Sequence, residues 1–136
     1  MTASTVSAPA GADLAAIAGI PQRIVAAWAD HDADAFAGVF TEDGSLILSG
    51  LHLKGRDAIR SYMSGAFAGP YQGTRVTGQP VDLRPLGRDA GVLITQGGVL
   101  APGETEVAPE RAIRASWVVV RQDGEWRLAA YQNSPR

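Results

Sequence analysis

The apolar positions of this chain first mark helices and then mark strands. From Asp13 to Asp30, the residues Leu14, Ile17, Ile24, Val25 and Trp28 form a stripe at helical spacing. Gly19 and Pro21 interrupt it. Proline removes an amide donor but suits a first helical turn, so the spacing predicts either a kink there or a short helix followed by a main one from Pro21. A second helix is predicted over Ala33 to Phe40, with Phe36, Val39 and Phe40 buried and Asp32 or Asp34 as its N-cap. Arg56 to Phe67 is the third, with its stripe at Ile59, Tyr62, Met63, Ala66 and Phe67, and Gly69-Pro70 as its stop. Between the second and third helices, Thr41 to Gly44 reads as a turn and Ser45 to Ser49 as a short strand. Gly50 to Gly55 reads as a loop or as that strand's hairpin partner.

Long strands follow at Gly73 to Arg84, Ala90 to Leu100, Ala112 to Arg121 and Trp126 to Tyr131. Asp123-Gly124 tolerates positive φ at both positions and predicts a type I′ hairpin between the last two. Counting outwards from that turn sets Arg121 opposite Trp126, Val119 opposite Leu128, Trp117 opposite Ala130, Ala115 opposite Gln132 and Arg114 opposite Asn133. The core face then carries Trp117, Val119, Trp126, Leu128, Ala130 and Gln132. Tyr131 and Asn133 fall on the other face with Arg114. The stretch from 101 to 110 is a long loop with two prolines, of the kind that serves as a lid or an interface arm. Helices first and an antiparallel meander after them make an α+β layout. The curved sheet is expected to wrap around three N-terminal helices and leave a mostly apolar cavity at its open end.

The chain has 136 residues, enough for a single domain over 13–136 with a disordered lead-in over 1–12. Twelve basic and 14 acidic residues nearly balance, and no basic stripe offers a nucleic-acid partner. The absence of cysteine excludes disulfides, thiol catalysis and cysteine-ligated metals. No stretch has the length or apolarity of a membrane span or a secretory leader, so a cytoplasmic protein is expected. Asp30-His31-Asp32-Ala33-Asp34 has the donors of a metal site, but helix-capping roles account for it better. No metal and no cofactor is expected, since no phosphate-binding or dinucleotide motif occurs.

Three stretches, Ile20–Gly44, Gly55–Pro70 and Arg111–Pro135, resemble the nuclear transport factor 2-like cone fold. That fold also hosts ketosteroid isomerase and the SnoaL-type polyketide cyclases. More narrowly, the chain resembles the SgcJ/EcaC family, found in actinobacterial gene sets that include those for enediyne antibiotics. The resemblance implies a homodimer packed through the outer face of the sheet and a hydrophobic pocket between sheet and helices. It implies a hydrophobic polyketide or polyene as the small-molecule partner, with a polyketide synthase as a further possible partner. The fold itself does not decide among enzyme, binder and assembly domain.

Isomerase chemistry of the ketosteroid type needs a carboxylate base and acidic donors to an enolate oxygen. Here the first helix has no tyrosine, and the strands over Ala90–Leu100 and Ala112–Arg121 have no Asp or Glu. Gln132 and Asn133 on the last strand supply no proton. The catalytic candidates are therefore Asp43, His52 and Tyr62. Each has a plainer reading, as turn carboxylate, surface histidine and packing tyrosine. The candidate ligand walls are Trp28, Phe36, Phe40, Tyr62, Phe67 and Trp117, and the candidate polar contacts are Arg114, Tyr131, Gln132 and Asn133. Three functions remain open: a polyketide-binding pocket, a cofactor-free isomerase or cyclase, and a docking module that uses Glu104, Glu106 and Glu110.

Overall fold

The computed structural model describes the chain from residue 11 to residue 136. Residues 1–10 of the expected lead-in lie outside that range. Residues 11 and 12, expected in the lead-in, open the first helix instead. No described helix is long and apolar enough to cross a membrane.

The first helical stripe is two helices, α1 (Gly11–Ala18) and α2 (Ile20–Ala29). The Gly19 amide donates to both Ala15 O and Ala16 O at 3.0 and 3.2 Å, which closes α1. Pro21 then sits in the first turn of α2, where its missing donor costs nothing. α3 (Ala33–Gly38) is capped by Asp32, whose carboxylate accepts from the Ala35 amide at 3.0 Å. α4 spans Arg56–Phe67. Their inner sides supply Ile17, Ile20, Trp28, Phe36, Ile59, Met63 and Phe67 to one core.

Six strands form one curved sheet in the order β2-β1-β6-β5-β4-β3. They are β1 (Phe40–Leu48), β2 (Leu51–Lys54), β3 (Arg75–Pro85), β4 (Ala90–Leu100), β5 (Ala112–Gln122) and β6 (Glu125–Pro135). Every neighbouring pair is antiparallel except β1–β6, which runs parallel because helix and meander intervene between them. β2 is the hairpin partner of β1.

Two expectations about these strands need correction. Thr41–Gly44 is not a separate turn; it lies inside β1 as a bulge between the Phe40↔Leu128 and Ser45↔Ala130 pairs. Burial explains this. Phe40 is fully buried, and the Arg56 guanidinium holds its carbonyl at 2.6 Å. A Cβ on Gly44 would meet the Phe40 side chain at 3.1 Å and Leu128 O at 3.2 Å, so the bulge closes tightly only on glycine.

The second correction concerns the last hairpin. Asp123 and Gly124 take φ of 53° and 79°, and the register runs as counted through Arg121↔Trp126 and Val119↔Leu128. A bulge at Ala129 then shifts it by one residue. Trp117 faces Tyr131, not Ala130; Ala115 faces Asn133, not Gln132; Arg114 faces Ser134, not Asn133. Tyr131 and Asn133 therefore turn to the inner face, and Ala130 and Gln132 turn out.

Neighbouring backbone crowds closely on Gly97-Gly98 in β4. A Cβ on Gly97 would stand 2.1 Å from Thr77 O, and one on Gly98 would stand 2.5 Å from Arg111 O. Only glycine allows β3 and the 101–110 loop to approach so closely.

Candidate functional site

A cavity of about 90 Å³ lies between the inner face of the sheet and the helices. Ile24 and Trp28 of α2, Phe36 of α3 and Met63 of α4 form its helical wall. Val76 and Gly78 of β3, Val99 of β4 and Ile113 and Trp117 of β5 form the sheet wall. Phe40 and Leu128 are fully buried at its inner end, while Leu48, Tyr71, Tyr131 and Asn133 are half-buried at the rim.

The two tryptophans of the wall spend their polar atoms outside the cavity. Trp28 Nε1 donates to Thr74 Oγ1 at 2.9 Å, and Trp117 Nε1 donates to Thr95 Oγ1 at 2.9 Å. Thr74 passes its own hydrogen to Tyr71 O at 2.6 Å, and His31 Nε2 donates to Thr74 O at 3.0 Å. These bonds lock the loop after α4 against α2. The rings then pack on one another: Trp28 on Tyr71 at 4.6 Å, Trp28 edge-on to Phe67 at 5.4 Å, and Trp117 edge-on to Tyr131 at 4.8 Å.

Four lining residues carry polar side-chain atoms other than the indoles: Tyr71, Thr77, Tyr131 and Asn133. Asn133 Nδ2 donates to Tyr131 Oη at 3.0 Å. Burial pushes the Tyr71 hydroxyl above its ordinary pKa, and the neighbouring Tyr62 hydroxyl adds to the effect. Burial likewise raises Tyr131; the bond from Asn133 pulls the other way, and Tyr71 adds to the rise. Both hydroxyls are therefore neutral at physiological pH. No Asp, Glu, His, Lys or Arg is found among the described residues of the lining. The site can bind and orient through neutral hydrogen bonds, but its wall holds no carboxylate or imidazole to move a proton.

Six of the residues singled out from sequence come together here: Trp28, Phe36, Phe40, Trp117, Tyr131 and Asn133. Phe67 is buried behind Trp28 rather than in the wall. Tyr62 is 36% exposed and reaches the site only through Tyr71. Arg114 and Gln132 are exposed on the outer face of the sheet, because β5 alternates and the Ala129 bulge turns Gln132 outwards. Asp43 is exposed in the β1 bulge and accepts from Thr41 Oγ1 at 3.0 Å. His52 is exposed on edge strand β2, 3.2 Å from Ser45 Oγ.

Tyr71 escaped the sequence reading, since it follows a helix stop and belongs to no periodic pattern. Gly78, Gly97 and Gly98 gave the available signal: glycines inside strands mark a bend or a close approach. The acidic stretch 30–34 lines a separate open depression with Arg60. Asp32 is used as a cap there and Asp34 lies 3.7 Å from Arg60 Nε. No metal-binding group of side chains occurs among the described residues.

Known proteins match this architecture. A domain of unknown function with a cystatin-like fold from Nostoc punctiforme is 28% identical, with a TM-score of 0.86 over 93% of this chain and 79% of that one. A nuclear transport factor 2-like protein with a cystatin-like fold from Novosphingobium aromaticivorans is 22% identical, with a TM-score of 0.78 over 90% and 80%. A similar protein of unknown function from Shewanella oneidensis is 16% identical, with a TM-score of 0.72 over 88% and 97%. No curated protein matches the chain. The model of the SnoaL-like domain matches residues 11–132, and the chain belongs to that family.

Proposed function

We propose that this protein is a single-domain cytoplasmic pocket protein that binds a small, largely apolar molecule between α2, α4 and the inner face of the sheet. One observation carries the reading: a cavity walled by Trp28, Phe36, Phe40, Met63 and Trp117 whose only polar groups are neutral and gathered at the rim. Such a wall favours burial of apolar surface and gives orientation through one or two hydrogen bonds.

Size refines the ligand. About 90 Å³ is smaller than the roughly 150 Å³ apolar cavity that accepts benzene. A folded polycyclic polyketide does not fit this closed form. The narrow end of a polyene does, with the rest leaving past Leu48 and Asn133. The resemblance to the SgcJ/EcaC family supports a polyketide or polyene intermediate, of the enediyne type, as that ligand. The binder reading is favoured over isomerase or cyclase because the lining lacks a base. It is favoured over a docking arm because Glu104 is folded back onto Arg111 and its carboxylate accepts from the Ala101 amide. A homodimer through the outer face is supported by the apolar stripe Val92, Ile94, Val118 and Val120 on β4 and β5.

The test is incubation with the polyene released by an iterative polyketide synthase, followed by native mass spectrometry of the complex and analysis of the small molecule. A retained, unchanged ligand supports the binder. A changed product at substoichiometric protein supports an isomerase and overturns it. Absence of any complex overturns both.

A further inference from the structure

The polar atoms of the pocket are not spread around it; they are concentrated at one end. Both indole N–H groups are bonded to threonines behind the wall. Thr77 is exposed to water, and the Tyr71 hydroxyl is engaged with the Tyr62 hydroxyl. What faces the cavity from the last strand is Tyr131 with Asn133 beside it. Asn133 Nδ2 donates to the Tyr131 oxygen, so one lone pair of that oxygen is taken. The hydroxyl hydrogen is left over, and no acceptor for it is found among the described residues. Accepting a hydrogen bond also polarises the O–H and makes it the better donor.

The ring cannot easily swing away. It stands edge-on to Trp117 with centroids 4.8 Å apart. It is held on the inner face by the bulge at Ala129. The bulge matters here, because without it Tyr131 would point outwards and the pocket would have no polar end on β6.

We infer that the pocket selects a neutral ligand bearing a carbonyl oxygen, a ketone or enone, and that the Tyr131 hydroxyl, oriented by Asn133, is the donor that receives it. This rests on the pocket being the ligand site. A carboxylate would enter a lining without a cation, and an amine would enter one without an anion, so both would lose hydration uncompensated. A hydrocarbon of the same shape would bury equal surface but leave the Tyr131 hydrogen unpaired.

The test uses two small probes of matched shape, butan-2-one and 2-methylbut-1-ene, titrated into the intact protein. Binding is followed through the indole N–H resonances of Trp28 and Trp117. The expected result is a preference for the ketone of about 3- to 10-fold, the net worth of one hydrogen bond. Tyr131→Phe should lose the ketone preference, because the ketone loses its donor and the hydrocarbon no longer leaves a hydroxyl unpaired. Equal binding of the two probes by the unaltered protein overturns the carbonyl assignment and leaves the pocket standing; that comparison needs no variant to fold. A ketone preference that survives in Tyr131→Phe overturns the role of Tyr131. Failure of both probes to bind overturns the pocket reading and this inference with it.

Discussion

The two ends of the β5–β6 hairpin use the same residue types for opposite purposes. At the turn end, Trp126 Nε1 donates to Asp13 Oδ1 at 3.0 Å, and Arg121 Nη1 donates to Asp13 Oδ2 at 3.1 Å. Arg121 also reaches Asp89 Oδ1 through Nε and Nη2 at 3.0 and 2.7 Å, and its guanidinium lies 5.8 Å from the Trp126 ring centroid. Charge ties α1, β5 and the β3–β4 turn together. At the other end, Trp117 bonds a neutral threonine, Tyr131 bonds a neutral amide, and a cavity lies between them. The contrast follows from solvation. The turn-end charges stay partly in water and cost little to pair. A charge in the cavity wall would be stripped of water without repayment. The closed end is built for strength and the open end for a neutral guest.

Changes at the open end's glycine pair break the comparison most severely. Gly97→Ala puts a methyl 2.1 Å from Thr77 O, and only a shift of the paired strands relieves it. We expect a loss of about 3 kcal/mol or more, read from the urea midpoint. A midpoint within about 0.5 kcal/mol of the parent would mean that the close approach of β3 and β4 does not depend on glycine.

At the closed end, Asp13→Ala leaves the buried Trp126 indole N–H without its acceptor. The expected cost is about 1–3 kcal/mol in equilibrium unfolding. Ligand affinity should not change, since Trp126 is not in the lining. A parallel fall in affinity would show that the two ends are coupled and the division drawn between them is wrong.

Gly78→Val sharpens the comparison from the other direction. A Cβ there points at Thr95 Oγ1 and the Trp117 ring at ordinary contact distances of 3.9 and 4.0 Å, and Val suits a strand. The fold should keep its stability to within about 1 kcal/mol. The cavity should be filled and binding of any ligand lost. Binding that persists in a folded Gly78→Val protein would place the ligand elsewhere.

Why these ends were unequally legible in the sequence is a matter of which forces are local. Helical stripes, the Gly19-Ile20-Pro21 break, the Asp32 cap and the Asp123-Gly124 turn are decided within a few residues, and the pattern shows them. The pocket walls Trp28, Phe36, Phe40 and Trp117 followed from the same stripes. The bulges at Thr41–Gly44 and Ala129 depend on how Phe40 and Leu128 pack across β1 and β6, so no count along one strand reveals them. Because strand side chains alternate, the single extra residue at Ala129 exchanged the places of Tyr131 and Gln132, and of Asn133 and Ala130. Tyr71 was hidden for a related reason. Its ring packs on Trp28, which is distant in sequence and adjacent only in the fold, and Thr74, three residues on, bonds to both.

The smallest expected effect lies in the loop beside the pocket rim. Glu104 folds onto Arg111, Arg75 donates to Glu104 O at 2.7 Å, and Arg111 Nε donates to Val99 O at 3.3 Å beside the lining. The bond from Arg111, and then the Ala101 amide, hold the Glu104 carboxyl below its ordinary pKa of 4.5. A depressed folded-state pKa means that the contribution is present above the unfolded value and is lost as pH falls through the folded one. The stability difference between the parent and Glu104→Gln should therefore be constant near pH 7, shrink as the pH drops below 4.5 and vanish once the carboxylate is protonated in the folded protein. The difference should be small, because both side chains are about one-third exposed and the solvent screens them. Thermal midpoints of the two proteins at pH 7 and pH 3 check it. Midpoints that stay equally far apart at both values would show that the charge of Glu104 does not strap the loop, and that the bonds of Arg75 and Arg111 to backbone carbonyls hold it alone.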